Sequence, residues 1–397
     1  MNEPLVLPSR QIEIGWDDGA TSRFHFVWLR QQFFNPAIGR PDQLPGEAFR
    51  LPDDPKALRV RECGIDNGRL LVTWDNDGVR TSHSLDWLRA NAYDSTLRAA
   101  RKLLCVPWDG AEIEQSTWHS WHAVMSEEKA LWALYRALSD QGFARLAGAP
   151  VAPGSVGRLA EKFGPLRSSD NGREFDVNLV SEGEAERCKE IGSFTTARPN
   201  LRTDEPWRYG PPGITFHCVL QSDPAPSGVS IFVDGFLVAK RLGEHDASAF
   251  EFLSTVPMRF SGPYHLQTPF FAAASRLIST DQDGDIAGVR FDDRALALQD
   301  LPERLTEPAY SALQAFAEEL SAPDLIYEHR LQPGEILIFD NHRVLHGYRA
   351  LDGGIDNHRI QGCTVDREEF HNQLRCLGES LGYEPAAQMI LPNGALG

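Results

Sequence analysis

Short runs in which apolar and polar residues alternate, punctuated by Asp/Gly turns, open the chain. Residues 11–16 (QIEIGW), 22–29 (SRFHFVWL), 57–63 (ALRVREC) and 69–74 (RLLVTW) each predict a strand, with DDG and DNDG as turns. SLDWLRANAYD at 84–94 closes a small β-rich unit, assigned to residues 1–97. Residues 98–124 hold little periodicity and read as a connector, with Trp118 and Trp121 packing inside it. The pattern then turns helical. Ser126 is placed to cap a helix that continues through Glu127 and Glu128, with Leu131, Leu134, Tyr135 and Leu138 on one side and Gly142 as the stop.

Beyond Gly142 the two-residue period returns. GFARLAGAP, PPGITFHCVLQ, GVSIFVDGF, VPMRFSG, GVRFDD, LIYEHRLQ, GEILIFDNHRVLHGY and HRIQGCTVD predict strands. Helices are expected near Ser155–Phe163, over 236–256 and over 308–320. Many short strands with PG and DG turns predict a mainly β fold with flanking helices, a barrel or jelly-roll over residues 125–397.

A net charge of −17 excludes a phosphate-binding surface of the nucleic-acid kind and disfavours anionic membranes. No apolar run reaches the roughly 18 residues of a membrane span, and the N-terminus has no basic and apolar pair of regions like a signal peptide. The six cysteines are scattered without a CxxC pair, which fits reduced thiols in a cytoplasm better than a disulfide scaffold. No P-loop, G-x-S-x-G elbow, Rossmann fingerprint or HExxH occurs.

Two segments carry the chemistry. One is RPNLRTDEPW at 198–207 followed by GPPGITFHCVLQ; the other is QPGEILIFDNHRVLHG at 332–347 followed by HRIQGCTVD. Together they resemble the TauD-like non-haem iron, 2-oxoglutarate-dependent oxygenases, most closely the γ-butyrobetaine and trimethyllysine hydroxylase branch. WLR at 28–30 and WLRANAYD at 87–94 extend the resemblance to the N-terminal unit. It implies a double-stranded β-helix (jelly-roll) catalytic domain, Fe(II) and 2-oxoglutarate as cofactors, a small-molecule substrate and a homodimer.

The resemblance implies an iron site of the form His-x-Asp plus a distant His, with three positions left for 2-oxoglutarate and oxygen. The carboxylate falls on Asp204 and the distant imidazole on His346, while Arg202 stands in the first ligand's place. A guanidinium has no lone pair to offer and stays protonated, so it repels Fe(II) and pairs with Asp204 instead. His217, in the ITFHC strand, is a position the family also fills with His. Thr203 is grouped with the cofactor-binding residues. The family's arginine for the distal carboxylate of 2-oxoglutarate falls on His358. Arg359 beside it faces the other way unless the strand carries a bulge. A remodelled pocket is implied: Arg202 binding an anionic group, His358 and His346 moving protons.

The aromatic cage that holds a trimethylammonium group in this branch maps to Asn171, Phe175, Phe194 and Thr364, with Trp207 as a further wall. Only two of these four are aromatic, which argues against a quaternary amine. Asp292 sits near the substrate region and, with Asp293, equally fits a solvated turn. The family's structural zinc is not expected. WLRQQFFNPAIGR has no cysteine, Val79 takes the histidine slot, and Phe33 and Phe34 are read as core filling.

Plain alternatives stand beside each of these. Asp204 reads also as a turn residue before Pro206, His346 as a structural remnant, His358 as an ordinary strand residue and Arg202 as the plug of a closed pocket. Three functions remain open: an atypical oxygenase on a small, polar, carboxylate-bearing metabolite; a non-oxidative, metal-independent enzyme in which Arg202 holds an anion; or a catalytically dead binding protein.

Overall fold

The computed structural model describes residues 3–32, 54–168, 172–178, 201–221, 229–262, 271–349 and 359–383. Phe33, Phe34, Asn171, Phe194 and His358 lie outside the described residues. The chain divides into two compact units, with the division between Lys102 and Leu103.

In the first unit β1 (Leu5–Leu7), β2 (Gln11–Gly15) and β3 (Thr21–His25) form one antiparallel sheet. A second consists of β4 (Val60–Asp66), β5 (Arg69–Trp74) and β6 (Arg80–Ser84). Alternation puts Ile12, Ile14, Phe24, Leu70, Val72 and Trp74 into one core. The strand predicted over 22–29 stops at His25, and Phe26–Gln32 turns helical. The apolar spacing there is also that of a helix face: Phe26 and Leu29 are buried, and Trp28 stacks on Phe24 at 5.4 Å. Val79 is partly buried against the core. The division falls beyond residue 97 because the helix Ser95–Arg101 is tied back to this unit: Asp94 caps it and also accepts from the Ser22 hydroxyl.

The connector is part of the second unit from Leu103 on. Within it β7 (Trp118–Ser120) pairs in parallel with β8 (Phe143–Ala147), and Arg145 lies 4.9 Å over the Trp118 ring. Ser126 does not cap the next helix. It ends a preceding helix, Trp121–Ser126, and its hydroxyl donates to the His122 carbonyl. The longer helix Glu128–Gln141 starts from Glu127 without a side-chain cap. Gly142 terminates that helix in the left-handed conformation (φ 67°), which glycine adopts without steric cost.

The remaining strands are β9 (Glu174–Asn178), β10 (Ile214–Gln221), β11 (Val229–Asp234), β12 (Met258–Ser261), β13 (Ala272–Ser275), β14 (Ile278–Thr280), β15 (Ile286–Val289), β16 (Leu296–Ala297), β17 (Tyr327–His329), β18 (Ile336–Asp340), β19 (Val344–Arg349) and β20 (Arg359–Val365). The main sheet runs β7-β8-β18-β10-β20-β9, and a second runs β17-β11-β19. From β17 to β20 consecutive strands alternate between these sheets, the winding of a jelly roll.

Phe143, Phe232, Phe339, Leu337 and Val344 fill the space between the two sheets. Outside the main sheet Tyr135, Phe163, Phe216 and Phe370 interlock, which fixes Glu128–Gln141 and Arg367–Ser380 against it. Leu242, Leu253 and Phe316, from three helices, cover Ile231, Val233 and Leu345 of the second sheet. Strands covered on both faces read as unbroken apolar runs, which is why ILIF at 336–339 is buried throughout. Among the described residues no helix is long and apolar enough to cross a membrane.

Candidate active site

The site forms where the segment 201–204 joins the second sheet. Arg202 and His346 exchange backbone hydrogen bonds in both directions, at 3.0 and 2.9 Å. Residues paired in this way present their side chains on the same face. Position 202 is therefore held beside the distant histidine by backbone geometry, whatever its side chain.

Two clamps fix Asp204. Asn341, buried in the turn between β18 and β19, accepts from the Asp204 amide at 2.6 Å and donates to the Asp204 and Pro212 carbonyls at 3.1 and 2.9 Å. Thr203 is bound on both sides by Phe291: its hydroxyl accepts from the Phe291 amide at 3.0 Å and donates to the carbonyl at 3.3 Å. Arg290 follows up by donating to the carbonyls of Pro206, Arg208 and Tyr209. Between the clamps Glu205 takes a left-handed conformation (φ 47°), a strained state for a non-glycine residue that the surrounding bonds enforce.

These constraints bring Asp204 Oδ1 to 3.3 Å from His346 Nε2 and 3.8 Å from Arg202 Nε. Arg202 and His346 are buried, while the Asp204 side chain is one-quarter exposed. Burial by itself would raise the Asp204 carboxyl. The attraction of His346, Arg202 and His217 outweighs it and holds the group below the usual carboxylate range, so it is anionic. Burial lowers Arg202 against the pull of Asp204. His217, whose ring lies 5.7 Å from that of His346, is lowered to about 3 by burial first and then by His346 and Arg202, and is neutral near pH 7.

The donor set fails the test for the family's iron triad. A spacing of 3.3 Å between Asp204 and His346 suits two ligands of one ion, since metal–ligand bonds of about 2.1 Å at a tetrahedral or octahedral centre separate neighbours by roughly 3 Å. Position 202, paired with His346, carries a guanidinium, which has no lone pair to offer. Among the described residues no further His, Cys, Asp or Glu completes a three-donor group with them. The one such group is Asp281, Asp283 and Asp285, in the turn between β14 and β15.

Other expected residues fall on both sides of the boundary. Arg359 faces away from the interior: it shares a face with Gln361, not Gly362, and pairs with Asp176 at 2.8 Å. The bulge in this pairing lies in β10, between Val219 and Gln221, so the alternation of β20 is unbroken and the arginine is not turned inward. The Thr203 hydroxyl is engaged with the Phe291 backbone in both directions and so anchors the segment.

Asp292 is buried in a two-bond pairing with Arg294 at 3.0 and 2.9 Å rather than solvated. Phe175 opposes Gly362 across β9 and β20, where a Cβ on the glycine would come within 2.5 Å of the ring. Trp207 lies against Gly262. Thr364, buried on β20, directly opposes Thr215 on β10. Sequence reasoning missed Asn341, Arg290 and Thr215. Asn341 had a signal: a polar side chain at the end of a fully apolar strand inside the most distinctive motif.

Residues 106–364 match the model of the "Taurine catabolism dioxygenase TauD, TfdA family". The chain belongs to that family, an oxidoreductase family of dioxygenases. It is 29% identical over 392 residues to a gamma-butyrobetaine dioxygenase of Pseudomonas sp. (strain AK-1), covering 94% of this chain and 97% of that protein. It is 24% identical over 365 residues to the mitochondrial trimethyllysine dioxygenase of Bos taurus, covering 90% and 83%. Among solved structures, a putative alpha-ketoglutarate-dependent taurine dioxygenase from Burkholderia xenovorans superposes with a TM-score of 0.47 at 12% identity, over 60% of this chain and 84% of that one.

Proposed function

We propose that this family member acts on a small, polar, carboxylate-bearing metabolite through a pocket converted from an iron centre into an anion-binding, proton-handling site. The observation that carries this is Arg202, buried and held by backbone pairing beside His346, with Asp204 shared between them. A guanidinium cannot ligate iron, but it orients a carboxylate by charge and paired N–H groups. The same charge repels a trimethylammonium group, so the substrate in the relatives' name is a poor fit. Asp204 and His346 form a carboxylate–imidazole pair at 3.3 Å in which the carboxylate orients the ring, an arrangement suited to proton transfer. The outward Arg359 and the engaged Thr203 hydroxyl support a loss of 2-oxoglutarate contacts as well.

The spacing of Asp204 and His346 favours a second reading, an oxygenase with a weakened two-residue iron site. Anaerobic titration with Fe(II), or Mn(II) followed by electron paramagnetic resonance, separates them. The wild type is expected to bind neither ion stoichiometrically, and Arg202→His to tighten binding by about a hundredfold or more, since a lost metal ligand or its support costs on that order. A stoichiometric iron centre in the wild type with turnover of 2-oxoglutarate would establish the oxygenase. Unchanged binding in Arg202→His would show that position 202 is not the missing corner.

A further inference from the structure

The interior face of the jelly roll carries polar atoms that nothing in the fold uses. Thr215 and Thr364 are Cα partners across β10 and β20, buried at 0% and 2% exposure. Neither Oγ1 has a hydrogen-bond partner among the described residues, and neither does Nδ1 of His346. Buried hydroxyls are nearly always paired, because leaving one unmet forfeits its hydration without return.

Their placement ties them to the site. Thr215 lies two residues from His217, on the face of β10 whose His217 ring approaches His346. Thr215 also opposes Phe339, whose ring centroid is 4.7 Å from that of His346. Thr364 and Gly362 share this face, and Phe175 closes over Gly362. Charge at Arg202, paired to the second sheet, and unmet hydroxyls at Thr215 and Thr364, on the main sheet, thus face the same interior of the roll.

We propose that Thr215 and Thr364 form a polar ledge that receives a hydroxyl or amide group of the ligand, while Arg202 holds its carboxylate. The ligand class is a short hydroxy- or amido-carboxylate. This rests on the anion-binding reading of Arg202 and adds the second point of contact. A hydrogen-bonding end group meets both hydroxyls, whereas a trimethylammonium end has no N–H or O–H and would leave them unmet while displacing any water.

The full chain can be titrated by calorimetry with two probes, 4-hydroxybutyrate and γ-butyrobetaine, which share a carboxylate and carbon spacing and differ at the far end. The wild type is expected to prefer 4-hydroxybutyrate by about tenfold or more. Thr215→Val and Thr364→Val, close in shape, are expected to weaken that probe by about tenfold and leave γ-butyrobetaine unchanged. Their ligand-free melting temperatures should stay level or rise, because an unmet hydroxyl has been removed.

Unchanged affinity for 4-hydroxybutyrate in both variants overturns the ledge, as does binding of neither probe by the wild type. A fall of several degrees in the ligand-free melting temperature does so too, since it would show the hydroxyls holding the fold. Arg202→Gln separates the two ideas. It should weaken both probes together; if both bind as to the wild type while the threonine variants still discriminate, the role of Arg202 fails and the ledge stands.

Discussion

Two buried arginines stand close to the same turn and serve opposite ends. Arg343 grips Asp234 with two bonds at 3.0 and 2.7 Å and donates further to the carbonyls of Asp140 and Val106. Arg202 meets Asp204 only at 3.8 Å, outside hydrogen-bond range, and that carboxylate leans toward His346 at 3.3 Å. A guanidinium whose bonds are short and directed at one carboxylate is part of the scaffold. One that meets a carboxylate at 3.8 Å leaves that carboxylate closer to a second group, here His346. The fold thus separates an ion pair that holds strands together from one that faces the interior of the roll.

The contrast breaks most sharply at Arg343. Arg343→Met strands Asp234 without its cation in a dry interior, and a loss of roughly 3–5 kcal/mol is expected in urea unfolding. A near-neutral result would end the distinction between the two arginines. Asn341→Leu is next. It removes two bonds to the Asp204 backbone and one to the Pro212 carbonyl, leaving buried amide and carbonyl groups unmet, for about 2 kcal/mol. Because the clamp acts on Asp204, binding of carboxylate probes should weaken beyond what the stability loss explains, a separation that calorimetry on the folded fraction reads. Arg359→Ala is the smallest. Its partly exposed pair with Asp176 contributes no more than about 1 kcal/mol, and both probes should bind as before. A large loss of probe affinity in that variant would mean the strand presents Arg359 inward.

The jelly-roll strands were legible because their apolar runs are bounded by turn residues, and the candidate site because its motif residues are rare and ordered. What failed was local. Ser126 has the chemistry of a cap, yet it ends a preceding helix in which Val124 is the buried residue, and its hydroxyl bonds back to the His122 carbonyl. The run at 22–29 satisfies a two-residue period as well as a helical one, and only the core decides that it changes at His25. β7 could not be read inside the connector, since three residues carry no period and its partner is distant in sequence.

Residue type alone determined that position 202 cannot ligate a metal: a guanidinium offers no lone pair in any surroundings. Alternation alone determined that Arg359 and Gly362 lie on different faces unless a bulge intervenes. Only the tertiary structure decided which strand carries the bulge, that Asn341 grips the Asp204 peptide, and that the hydroxyls of Thr215 and Thr364 meet across a strand pair with nothing to bond. Those outcomes depend on register and on contacts between segments more than a hundred residues apart, and neither is encoded in the identity of any single residue.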